Sequence, residues 1–180
     1  MGTLGCTLFE TAVGRCGIAW GPRGLTGIQL PERHEGATRA RLRRSCPGAR
    51  PAEPPADVRR AIDAMVALLG GERRDLREVP LDMDGVPAFH RQVYEVTRSI
   101  PPGETLTYGE VASRLGEPGA ARAVGQALGR NPFPIVVPCH RVVAAGGKLG
   151  GFSAEGGATT KRRMLAIEGA AACPPTLFDG

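Results

Sequence analysis

The sequence contains no apolar run near the roughly 18 residues that a membrane-spanning helix requires, so the chain reads as soluble with no membrane partner. It also has no C-x-x-C pair, no secretory signal and no cysteine–histidine spacing of a common zinc type. Its cysteines are scattered as Cys6, Cys16, Cys46, Cys139 and Cys173. An odd set without an export signal argues against a disulfide framework and points to free thiols in the cytoplasm. Cys6 and Cys16 could meet a histidine on zinc only against the usual spacing rules. The expectation is therefore no metal and no cofactor.

The 180 residues are 42% hydrophobic, enough for one domain or two small ones. Net charge is +5, with a sequence pI of about 9.3. The excess is uneven: residues 85–169 carry ten Lys and Arg against six Asp and Glu. A basic domain makes nucleic acid a candidate partner.

The segment from Asn131 to Val143, NPFPIVVPCHRVV, stands out. Pro132, Pro134 and Pro138 remove backbone donors and exclude an interior helix. Ile135, Val136 and Val137 read as a buried extended segment. Pro138 then turns the chain and presents Cys139, followed at once by His140 and Arg141. A histidine and an arginine are partners that lower a thiol pKa. Cys139 reads either as a reactive thiol or as a small buried apolar residue.

Elsewhere the periodicities alternate between strand and helix. Residues 4–30 give two strand-like runs around the turn signal at 21–24, with Phe9, Ile18, Trp20, Leu25 and Ile28 inward. Residues 31–56 are rich in Arg, Pro, Gly and Ala and poor in large apolar side chains, and read as a linker in which ARLRR could form a helical turn. A helix is expected over 57–70, with Asp57 as N-cap and Ile62, Met65, Val66 and Leu69 on one apolar face. A domain boundary falls near residue 84. A second helix starts after Pro87. Thr107 and Glu110 then form a capping box ahead of a helix that runs to Gly116. A Gly-containing turn leads to a helix of small residues, Arg122 to Arg130, completing a helix-turn-helix pattern. That last helix reads either as a tightly packed core element or as one built for close approach to another surface. A final helix spans roughly 159–168 with Gly169 as its cap. The tail, 170–180, reads as loose, with Leu177 and Phe178 able to dock.

TYGEVA, AARAVGQAL, NPFPIVVPCHRVV and AIEG occur in this order at close spacing. Together they resemble the O6-alkylguanine-DNA alkyltransferases, the methylated-DNA–protein-cysteine methyltransferases. The resemblance is strong over 85–169 and weak over 1–80. It implies an α+β protein: a small N-terminal α/β domain, with an antiparallel sheet and a helix (1–84), before a helical C-terminal domain of winged helix-turn-helix type (85–169). It implies irreversible, once-only transfer of an alkyl group from guanine O6, or thymine O4, to Cys139. In such proteins the histidine after the cysteine accepts the thiol proton through a water, and a glutamate orients it. Those positions are His140 and Glu168. Asn131 would brace the active-site turn, and Tyr108 would support base rotation and protonate the leaving guanine.

The resemblance further implies a monomer on double-stranded DNA, bound through the minor groove with the damaged base flipped out. Arg122 would fill the gap in the stack. Ala121, Ala123, Gly125, Arg130 and Arg141 would lie along the DNA, and Tyr108, Val142, Phe152 and Ser153 would line the pocket. Phe152 stands where tyrosine is common, and the run Phe152 to Gly157 is about two residues longer than the family pattern. Two other classes compete. A recognition-only protein is disfavoured by the cysteine at 139. A cysteine hydrolase needs an oxyanion hole, and no such motif is present.

Overall fold

A computed structural model describes residues 4–170. Three antiparallel strands open it: β1 (Gly5–Thr11), β2 (Gly14–Gly21) and β3 (Gly24–Gln29). The short β4 (Arg50–Pro51) joins β1 in parallel, giving the order β3-β2-β1-β4. The first of the two expected strand runs is therefore itself a hairpin. It turns at 12–13, and Gly14 takes φ +119 to begin the return strand.

The expected linker at 31–56 is instead structured. It holds helix α1 (Glu35–Ser45) as well as β4. His34 caps α1, its Nδ1 accepting from the Ala37 amide at 3.1 Å. Glu35 pairs with Arg39 one turn on at 2.7 Å. Composition misleads here because the docking surface is hollow. A Cβ on Gly17 would lie 2.9 Å from the Leu42 side chain, and one on Gly27 would lie 2.5 Å from Cys46 Sγ. These two glycines let a helix with a single large apolar residue bury it against the sheet. Leu42 joins Cys6, Ala19 and Cys46 in a small core of its own.

The opposite sheet face carries Phe9, Cys16, Ile18 and Trp20 and receives α2 (Ala56–Leu69). Asp57 sits in the first turn of α2 rather than capping it; Pro55 precedes the helix with no side-chain cap. Ile62, Met65 and Leu69 are buried as expected. Val66 is exposed, and Val58, Ala61 and Leu68 complete the inner face.

Helices α3 (Ala88–Arg98), α4 (Tyr108–Arg114), α5 (Ala121–Gly129) and α6 (Ala158–Ile167) form the second half. The two-residue strands β5 (Leu106–Thr107) and β6 (Val142–Val143) pair in parallel. The capping box forms: Thr107 accepts from the Glu110 amide at 3.1 Å, and the Glu110 carboxylate accepts from the Thr107 amide at 3.3 Å. One hydrophobic core runs from Phe9 and Trp20 through Met65 to Val93, Phe133 and Met164, so packing is continuous across residue 84. The edge of the sheet reaches the second half directly, because the Ile28 amide donates to Pro132 O at 2.9 Å.

The segment 135–137 is buried but not extended. It is a turn in which Ile135 has φ +76, an outlier for a β-branched residue. Such a conformation persists only where its surroundings over-determine it. Gly169, at φ +72, follows the end of α6 as expected. Cys173, Leu177 and Phe178 lie outside the described residues.

Candidate active site

Asn131 builds the turn that carries the thiol. Its Nδ2 donates to Val137 O and its Oδ1 accepts from the Phe133 amide, both at 2.9 Å. This Asx arrangement supplies partners that three prolines cannot. Cys139 then opens a single 3-10 turn, Cys139–Arg141, with its amide on Val137 O at 2.7 Å. The turn separates the two neighbours of the thiol. Cys139 remains half-buried on a cavity, while His140 and Arg141 go inward.

His140 Nε2 lies 2.7 Å from Glu168 Oε1. Arg141 clamps the same carboxylate, Nε to Oε2 and Nη2 to Oε1, both at 2.9 Å, and its Nη1 donates to Ile100 O at 2.7 Å. The Glu168 side chain is only 2% exposed. Burial alone would raise its pKa, but hydrogen bonds from His140 and Arg141 outweigh that and hold it at about 2. Burial pushes His140 below its ordinary value, so the imidazole is neutral near neutral pH. An ionised carboxylate only accepts, so the imidazole proton sits on Nε2. Nδ1 is left with its lone pair, buried and bonded to no protein atom. The geometry thus makes a base one residue from the thiol.

Burial is the dominant influence on Cys139 and raises its pKa, opposed by the Asn131 side chain and by the charge of Lys161. Lys161 is missing from the residues singled out by sequence. It is fully buried on α6, with Nζ 3.2 Å from Gly151 O, 3.4 Å from the Tyr108 hydroxyl and 5.6 Å from the Tyr108 ring centre. Among the described residues it has no carboxylate partner. Burial pulls its pKa down from 10.5 to about 8. Its spacing held the signal: Lys161, Met164, Leu165 and Glu168 fall on one inward face, which places a lysine in an apolar stripe.

Tyr108, the first residue of α4, stands at the cavity with its hydroxyl 3.5 Å from Gly151 O. The cavity measures about 650 Å³, and its walls include Ala121, Arg122 and Gly125 of α5, then Cys139, Phe152 and Ser153. Arg122 is exposed at its rim, whereas Ala123 lies on α5 outside the lining. Arg130 is exposed on a neighbouring cleft of about 350 Å³, which Asn131 and Cys139 share with β3 and α1. Two expectations fail. Arg141 is buried and fully engaged by Glu168 and Ile100, so it does not face DNA. Val142 is completely buried in β6 beside Leu106 and lines no pocket at Cys139.

Comparison with known proteins adds to this geometry. Residues 88–170 match the 6-O-methylguanine DNA methyltransferase, DNA binding domain, model. A methylated-DNA–protein-cysteine methyltransferase from Methanothermobacter thermautotrophicus is 39% identical over 153 residues, 85% of this chain and 78% of that protein. The chain belongs to the methylated-DNA–protein-cysteine methyltransferase family. Two Mycobacterium tuberculosis structures, both 34% identical, are similar throughout. One, an O6-methylguanine methyltransferase, covers 96% of each chain at a TM-score of 0.73. The other, a complex of OGT with DNA, covers 93% of this chain and 95% of that one at 0.70. Within this methyltransferase fold, the loop after Phe152 carries Glu155, which pairs with Arg33 of the N-terminal half at 3.3 Å. Arg163 of α6 bonds Ala12 O in the β1–β2 turn.

Proposed function

We propose that this methyltransferase repairs O6-alkylguanine in duplex DNA by moving the alkyl group to Cys139 Sγ. The observation that carries the reading is the half-buried thiol at the floor of a 650 Å³ cavity, beside a neutral, carboxylate-held imidazole. The thiol proton passes through a water to His140 Nδ1, and Glu168 stabilises the imidazolium that forms. The thiolate attacks the alkyl carbon. The S–C bond forms as the O6–C bond breaks, and the electron pair stays on guanine. Tyr108 donates a proton to the departing base, and the charge of Lys161 beside it stabilises the phenolate left behind. No step regenerates the thiol, so each molecule reacts once.

A base inside a duplex cannot reach this cavity unless it is flipped out. The small residues along α5, Ala121, Ala123 and Gly125, suit close approach in the minor groove, and Arg122 at the rim suits filling the vacated stack. Minor-groove readout is degenerate, which fits a protein that must inspect any sequence.

The test is intact-protein mass after incubation with a duplex carrying one O6-methylguanine, followed by peptide mapping. One added methyl group on Cys139, absent in Cys139→Ala, is the expected result. Binding with no mass gain would overturn transfer. Arg122→Ala should slow reaction with the duplex about tenfold or more while leaving free O6-benzylguanine unaffected, since flipping costs a few kcal/mol. Equal slowing of both substrates would remove the stacking role.

A further inference from the structure

A second cavity, of about 390 Å³, lies behind the Cys139 turn and shares no lining residue with the cavity in front of it. Ile135 and Arg141 form one wall, and the segment 73–77 forms another. Five arginines and one aspartate line it. Most of that charge is already matched. Arg77 grips Asp75 at 2.8 Å, Arg74 meets Glu72 at 3.2 Å, and Arg141 is held by Glu168. Arg73 and Arg98 pair with no carboxylate among the described residues. Arg98 donates Nη2 to Leu76 O and Val79 O at 2.8 and 2.9 Å, but its Nε is buried and bonded to no protein atom.

Two guanidinium groups with no carboxylate in salt-bridge contact among the described residues, in one concave site, suit an anion. Guanidinium forks suit phosphate oxygens in particular. Apart from Ser99, the rest of the lining is apolar, with Leu76, Ile100, Pro101 and Pro102 among it. The volume falls within the roughly 300–1,000 Å³ of small-molecule sites. Duplex DNA presents its phosphates on a convex surface, which a concave pocket of this volume admits poorly.

We propose that this cavity binds a small phosphate-bearing ligand of mononucleotide size, its phosphate held by Arg73 and Arg98 and its flat apolar part laid against Leu76, Pro101 and Pro102. Arg141 is both a wall of this site and a partner of Glu168, so the ligand would sit one side chain from the catalytic carboxylate.

Titration calorimetry of the full chain with adenosine 5′-monophosphate, inorganic phosphate and a lesion-free duplex tests the proposal. Arg73→Glu is the chosen variant because Arg73 is exposed and its loss leaves the core intact. Arg60→Glu, on exposed α2 surface outside the cavity, controls for net charge. The mononucleotide should bind once per chain and inorganic phosphate should compete with it. Arg73→Glu should weaken mononucleotide binding about tenfold or more, the loss of one charge-assisted contact, while Arg60→Glu should not. Unfolding temperature and transfer rate should be unchanged in both variants. No binding of the mononucleotide, or equal weakening by both reversals, would overturn the site. Duplex binding weakened by Arg73→Glu without any mononucleotide binding would assign the arginines to the DNA backbone and overturn the small-ligand reading.

Discussion

Replacing Lys161 with methionine should stabilise this protein and impair it at the same time. The side chain is fully buried, and its ammonium meets a carbonyl, a hydroxyl and an aromatic ring but no carboxylate. A pKa that falls from 10.5 to about 8 corresponds to roughly 3 kcal/mol, at about 1.4 kcal/mol per pH unit. The sign follows from proton counting. Between about pH 8 and 10.5 the unfolded chain holds a proton on this lysine that the folded chain has released, so stability rises with pH across that window. Below about pH 8 both states are protonated and the full cost of burying the charge is present. Methionine keeps the unbranched stem and removes the charge. Urea unfolding near pH 7 should therefore show Lys161→Met more stable by up to roughly 3 kcal/mol, with the advantage shrinking as pH rises past 8. Single-turnover transfer by the same variant should slow about 100-fold, the scale of one lost preorganised electrostatic contact. A variant no more stable than the parent near pH 7, or unfolding curves that stay parallel with pH, would refute the reasoning.

Glu168→Gln breaks a buried pair and leaves Arg141 uncompensated, so it should cost about 3–5 kcal/mol of stability and slow transfer by two or more orders of magnitude; denaturation and single-turnover mass kinetics measure both. The parent's Glu168 has its pKa depressed to about 2, so its stabilisation is complete above about pH 4.5 and is lost as pH falls toward 2. The glutamine variant should lose that part of the acid transition, which circular dichroism would follow. Gly150→Ala would place a Cβ 2.7 Å from the Tyr108 hydroxyl on a residue at φ +78. It should slow transfer from duplex and free base alike, unlike Arg122→Ala, because it displaces Tyr108 rather than a DNA contact.

The two short helices α4 and α5, the capping box and the last helix were legible because each is encoded locally, by a cap, a period or a glycine. The cluster of Asn131, Cys139, His140 and Glu168 was legible for the same reason, since they fall in short, recognisable words. Helix α1 was not, because what decides it lies elsewhere. Gly17 and Gly27 on the sheet make room for Leu42 and Cys46 respectively, and nothing within 31–56 announces that. The turn at Ile135 was hidden by its own composition: three β-branched residues suggest a strand, and tertiary packing imposes φ +76. Arg141 failed as a DNA contact because Glu168 claims it from the far end of α6.

The neighbours of Cys139 in sequence are also not the neighbours that set its charge. His140 and Arg141 read as groups that would lower the thiol pKa, yet the single 3-10 turn sends both inward to Glu168. His140 is neutral, and the Arg141 charge is met by carboxylate. The cation whose charge lowers the thiol pKa is Lys161, from α6. Its pull, with that of Asn131, does not overcome burial, so Cys139 rests as a thiol. A suicide acceptor benefits from that balance. A permanent thiolate would be open to oxidants and stray alkylating agents, and each such hit would consume the molecule. A protonated thiol beside a neutral base becomes a nucleophile only when its proton has somewhere to go. In the proposed mechanism the proton goes through a water to His140, as an alkylated base in the cavity takes a proton from Tyr108. Neutral His140 and charged Lys161 are both in place between the depressed pKa of the first and the value of about 8 of the second, a window that spans neutral pH. The burial that costs stability at Lys161 is thus the same burial that keeps Cys139 in reserve.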